Sequence, residues 1–227
     1  MPGLHSVEYP LDGDVLGGSP SSTTRFTIRV DDEQFRFLPT VFRVDVPYRG
    51  IFPTETPPSP GAVAPPGVYL FSAPTRPAPS TLAVVRAQLV EQLDATTTRP
   101  AAFAVLEVQM PGPSIWYGVA DSRGAVLVVF PYPAFAVSPG VPTSPTSTLQ
   151  SWAAVVRVRY SPSSLDFPPG SATPDIRSVF GQPIGQIWPT SALDPAQAVV
   201  ELSGRLFFGQ PLVLRTDSGP DLVIGPA

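Results

Sequence analysis

Hydrophobic and polar positions alternate with a period of two through much of the chain. At 25–30, Arg25, Thr27 and Arg29 interleave with Phe26, Ile28 and Val30, the pattern of a strand buried on one face. The acidic run Asp31, Asp32, Glu33 reads as a turn, and 35–37 and 41–46 resume the alternation, so this stretch is expected to form a small three-stranded meander. A short apolar strand follows at 67–72. Residues 82–92 fit two templates: Leu82, Val85, Leu89 and Leu93 make a helical stripe, whereas Leu82, Val84, Arg86, Gln88 and Val90 make a poor strand face. The strand-rich surroundings decide for a strand. A polar turn at 94–100 leads to strands at 103–110 and 115–120. Asp121, Ser122, Arg123 and Gly124 then form a tight turn, with glycine where positive φ costs least, before the apolar strand 125–130. Further on, 152–160 alternates Arg157 and Arg159 with apolar residues. One short helix is predicted at 173–180, with Thr173 as cap and Pro174 at the first helical position. Short strands at 199–202, 205–208, 212–215 and 222–224 close the chain.

Proline changes this picture by forbidding its main rival. There are 32 prolines in 227 residues, several-fold above an ordinary usage of about 5%. Each removes a backbone donor and fixes φ, which leaves short strands joined by rigid turns and extended connections. Residues 51–66 and 73–79 read as polyproline-like loops. The chain is therefore expected to be all-β and to divide into an N-terminal arm (1–24), short strands with a proline-rich loop (25–79), a β-sandwich (80–138), a linker (139–150) and a C-terminal β region (151–227).

Charged residues make up only 14% of the chain, against about 25% in typical domains, so much of the surface is uncharged and open to packing. All 14 basic residues are arginine, a side chain well suited to protein interfaces. A net charge of -4 without a basic run argues against nucleic-acid binding, which needs clustered cations. With no cysteine, disulfides and thiolate metal sites are excluded. No apolar stretch reaches the ~18 residues of a membrane span, and the first residues lack the pattern of a secretory signal. A cytoplasmic location is expected.

Candidate chemistry is sparse. His5, the one histidine, lies in the arm without evident partners for general-base or metal-ligand work, which argues against histidine-dependent catalysis. Glu91 and Glu107 are placed on adjacent strands but lack the aromatic cleft of a glycosidase pair. Asp12 and Asp14, like Asp31 to Glu33, lack the remainder of a calcium loop. Gly17 and Gly18 lack the lysine and hydroxyl of a phosphate loop. The expectation is a protein with no catalytic residues, no metal and no cofactor. The one constellation retained is aromatic: Trp116, Tyr117, Phe130, Tyr132 and Phe135 read either as core and edge packing or as a contact surface for protein or sugar.

Two resemblances follow from these residues. Asp94 with Arg99 and Pro100, then the strand from Ala104 to Val108, then Gly118, Asp121 and Gly124 in their spacing, resemble the carboxypeptidase regulatory-like family. The resemblance covers about 82–133 and lacks the Thr-Gly turn before Pro100. It implies a transthyretin-like or immunoglobulin-like β-sandwich, with additional short strands and extended loops, and it makes Asp121 and Gly124 a turn signature without catalytic content. More loosely, residues 125–133, the strand led by Trp152 and the closing 209–216 resemble uncharacterised proteins encoded beside phage-tail-like contractile injection systems. That resemblance implies a structural or adaptor subunit near the cap or baseplate, located within an assembled particle. Its partners would be other protein subunits, in a possible homo-oligomer or ring. The alternative is a carbohydrate-binding or adhesive module.

Overall fold

The computed structural model describes residues 24–46, 69–94, 97–133, 150–190, 195–217 and 219–226. The arm but for its last residue, the loop at 51–66, the linker but for its last residue, His5, Asp12, Asp14, Gly17, Gly18 and Phe135 lie outside them. The described chain is all-β, with twelve strands and a single five-residue α-helix among the described residues.

Two sheets face each other. One is built on β3 (Leu82–Gln92), which pairs antiparallel with β7 (Ala125–Pro131) and β4 (Thr98–Pro100). It also pairs parallel with β11 (Leu212–Leu214) and β12 (Leu222–Gly225), and β9 (Gln186–Trp188) extends the sheet beyond β12. The other sheet has the order β10-β8-β5-β6, formed by β10 (Leu202–Phe207), β8 (Ser151–Arg159), β5 (Val105–Gln109) and β6 (Ile115–Val119). Its pairings are all antiparallel.

The core lies between the sheets. Ala83, Val85, Ala87 and Leu89 of β3 meet Ala104, Leu106, Val108 and Met110 in and beside β5, with Trp152, Ala154, Val156 and Val158 of β8. The strand reading of 82–92 holds, but its inward face is the other parity: Ala83, Val85, Ala87, Leu89 and Glu91 are buried while Leu82, Val84, Arg86 and Gln88 are half-exposed. Two alanines made that face look weak, yet small side chains are what close sheet packing tolerates.

The division expected at 139–150 separates sequence but not core. β8 pairs with β5, and β11 and β12 pair with β3, so 80–138 and 151–227 share both sheets. A parallel partner reached from far along the sequence leaves no local signature, which is why periodicity missed it.

A third layer covers part of the second sheet. β1 (Thr24–Val30) and β2 (Thr40–Val46) form a two-stranded hairpin, not a three-stranded meander. The stretch between them is an ordered loop in which Phe35 has φ 53° and Phe37 makes an isolated bridge to Ser72. Helix α1 (Ile176–Phe180) is capped by Asp175, whose carboxylate accepts the Arg177 N–H at 2.9 Å, so the cap falls two residues after Thr173. Phe71, Val179, Ile176 and Phe180 from this layer pack on Val105, Tyr117 and Val119.

The Asp121 turn is held at three points. The Asp121 carboxylate accepts the Arg123 N–H at 2.8 Å and the Ala125 N–H at 2.9 Å, and Gly124 takes φ +82°. The Gly124 carbonyl accepts the Leu89 N–H at 2.8 Å, which ties the turn to β3. A Cβ at Gly124 would lie 2.2 Å from the Leu89 carbonyl oxygen. Gly124→Ala combines left-handed strain with this backbone clash, so a loss of about 2 kcal/mol or more is expected, read as a lower urea midpoint at unchanged slope.

Candidate functional site

The aromatic set divides among three places. Successive residues of a strand point to opposite faces, so Trp116 and Tyr117 of β6 part company. Trp116 stacks on the buried Phe130 ring at 5.5 Å, inside the sandwich. Tyr117 turns outward to the third layer and meets Phe180 edge-on at 5.8 Å. Tyr132 stacks on Trp152 at 5.3 Å and touches Phe208 at 4.8 Å, and its hydroxyl oxygen accepts the Gly209 N–H at 2.9 Å, which fixes the β10–β11 turn. Phe135 lies outside the described residues.

Glu91 and Glu107 do not share adjacent strands. Glu91 is on β3 and Glu107 on β5, in opposite sheets. Both are buried and paired. Glu107 lies beneath the Arg159 guanidinium, which also donates to the Gln182 carbonyl. Glu91 accepts from Arg99 Nε at 2.7 Å and from the Tyr160 hydroxyl at 2.6 Å. Since Tyr160 follows β8, this bond clasps one sheet to the other. Burial, reinforced by the Glu91 hydrogen bond and charge, raises the Tyr160 phenol pKa above its ordinary value.

Between the hairpin, α1 and the sandwich lies an apolar slot of about 210 Å³. Leu38, Val41, Phe71, Phe103, Val119 and Ile176 contribute to its walls, and the exposed Pro39, Ser122 and Ala172 stand at its rim. Among the described residues of the lining, Asp121 alone is charged. One wall depends on a buried amide that sequence reading passed over. Gln182 is fully buried; its Nε2 donates to the carbonyls of Phe103 and Val179, each at 2.9 Å, and its Oε1 accepts the Ser161 N–H at 2.8 Å. These bonds hold Phe103 at φ 60°, a conformation that bulky residues seldom adopt. Nothing in the local sequence Phe180-Gly181-Gln182-Pro183 distinguishes this glutamine from a solvated loop residue. Nearby, a polar hollow of about 200 Å³ is lined by Arg25, Arg43, Arg177, Asp166, Asp175 and Ser178, with Arg43 and Asp166 ion-paired.

The hairpin loop is equally organised. The Asp32 carboxylate accepts the N–H groups of Gln34 at 3.2 Å and Arg36 at 2.8 Å, and the Arg36 side chain adds an ion pair. The Arg36 hydrogen bond is the main reason its pKa falls to about 2. The Arg76 guanidinium sits over the Phe37 ring at 4.6 Å. Phe35, at the tip, is 78% exposed.

No family model, curated protein or solved structure matches the chain. Among the described residues no group of three or more His, Cys, Asp or Glu side chains is placed to hold a metal ion, and no helix is long and apolar enough to cross a membrane.

The Tyr160 clasp has a pH signature. The folded chain keeps the phenol proton to higher pH than the unfolded chain, so this stability is complete below pH 10.0, the ordinary phenol value, and declines as pH rises above it. Tyr160→Phe should cost about 1–3 kcal/mol at neutral pH through the lost bond to a charged acceptor. Denaturant midpoints measured from pH 8 upward should fall less steeply in the variant than in the wild type.

Proposed function

We propose that the chain is a non-enzymatic adaptor that joins neighbouring protein subunits within a phage-tail-like contractile injection particle, near its cap or baseplate. The observation that supports an adaptor is the rigid presentation of apolar surface: Phe35 stands 78% exposed on a backbone that Asp32 holds in place. An exposed aromatic on an ordered loop is a contact anchor of low entropic cost. Strand β10 adds a second means of contact, since among the described residues it has a ladder to β8 alone, and an unpaired strand edge can accept a partner strand. The particle itself is inferred from the resemblance of 125–133, the Trp152 strand and 209–216. A cytoplasmic location follows from that reading. The carbohydrate-binding alternative has less support, because Trp116 with Phe130 and Tyr132 with Trp152 stack on each other and so occupy ring faces that a sugar would need.

In this reading the proline-rich segments 51–66 and 139–148 lie along partner subunits. In the purified particle both segments should resist a broad-specificity protease, and in the isolated chain both should be cut, with the sites identified by mass spectrometry. Equal cleavage in the two states would mark them as exposed loops and remove this means of joining subunits.

A further inference from the structure

The hairpin tip and the apolar slot are complementary in shape and charge. Phe35 is held out of its own protein at φ 53° by the Asp32 bonds, and its ring has no cover. The slot, at about 210 Å³, exceeds the roughly 150 Å³ in which a cavity lined by Leu, Ile and Phe takes up one benzene ring. It therefore has room for a single phenyl side chain, and its walls are of the right chemistry.

Charge selects the flanks. Glu33 lies two residues before Phe35, is exposed, and forms no ion pair among the described residues. At the slot, Asp121 lines the wall and Arg123, two residues on, is exposed with an unpaired side chain among the described residues. An apolar knob beside an unpaired acid thus matches an apolar slot beside an unpaired base. Knob and slot are also neighbours, since Leu38 of the slot wall is three residues from Phe35. Adjacency on one surface suits reciprocal exchange about a two-fold axis, in which each copy gives and receives the same contact.

We infer that the chain pairs with a second copy of itself by seating Phe35 of each copy in the apolar slot of the other, with Glu33 against Arg123. The inference rests on the adaptor reading only in extending it to contacts between identical chains.

Sedimentation equilibrium on the full chain tests it. The wild type should associate reversibly to twice its 24.0 kDa mass. Phe35→Ala, which removes the knob, and Ala172→Trp, which obstructs the slot from its exposed rim, should each weaken association at least tenfold. A mixture of these two variants should regain part of it, because each supplies what the other lacks. Glu33→Arg and Arg123→Glu should each weaken pairing, and the two changes combined in one chain should restore it. All four residues are exposed, so thermal melts taken at concentrations low enough to keep the wild type dissociated should match the wild type. A wild type that stays monomeric at every concentration, association insensitive to both Phe35→Ala and Ala172→Trp, or a charge swap no better than its single changes would each overturn the inference. A monomeric chain whose segments are still protected in the particle would reject this pairing and keep the adaptor reading. A knob-dependent dimer whose segments are cut equally in both states would do the reverse.

Discussion

Strand β3 is the constraint on which the architecture depends. Antiparallel partners β7 and β4 line one of its edges and parallel partners β11 and β12 the other. Its backbone groups are therefore satisfied inside the sheet, and its inward face can be wholly apolar up to Glu91. The parallel partners come from the far end of the sequence, so the sheet cannot close until most of the chain has been assembled. Such non-local pairing is slow to form and gives the fold one cooperative core in place of separable units. The proline-rich connections permit this because they cannot form competing helices between the strands.

Few charges remain in such a chain, and several of those that do are spent on joining layers. Glu91 with Tyr160 and Arg99 connects the two sheets, and Arg43 with Asp166 connects the hairpin to the segment before α1. Glu107 with Arg159 lies on the outer side of the second sheet, where Arg159 also reaches Gln182. A buried carboxylate deprived of its partner costs about 3–5 kcal/mol, so these pairs act less as net stabilisers than as conditions of correct assembly. A sandwich with its sheets shifted by one residue would strand Glu91 or Glu107 among apolar side chains.

The strands were largely legible from the sequence because period-two alternation reports directly on which face is buried. Residues 25–30, 41–46 and 151–159 show it plainly. β4 and β9, three residues each, are too short to show any period. The inward parity of β3 was obscured by its alanines, whose burial reflects the close approach of a facing sheet and not their own hydrophobicity. The candidate site was less legible still. Aromatic residues near in sequence suggested one surface, but the pleat sent Trp116 and Tyr117 to opposite faces and stacked Tyr132 on Trp152. The slot draws its walls from Leu38, Phe71, Phe103, Val119 and Ile176, which only the tertiary structure brings together. Phe35 was read as part of a strand because 35–37 resumes the period-two alternation; Asp32, by taking the backbone bonds of the turn, overrode that pattern.

That override gives the hairpin tip its character. A non-glycine residue in the left-handed region costs about 1–2 kcal/mol, and leaving a phenyl ring in water forfeits the gain from burying it. Neither cost would persist in a loop free to relax. The loop is not free, because two backbone N–H bonds and the Arg36 ion pair all converge on one carboxylate. With its pKa near 2, that carboxylate stays ionised from mildly acidic to alkaline pH, so the tip keeps its shape across that range. A side chain already fixed in position loses little freedom when it meets a partner. The strain at Phe35 is thus a form of preorganisation, and it places the most exposed aromatic among the described residues where contact with another surface is least costly to make.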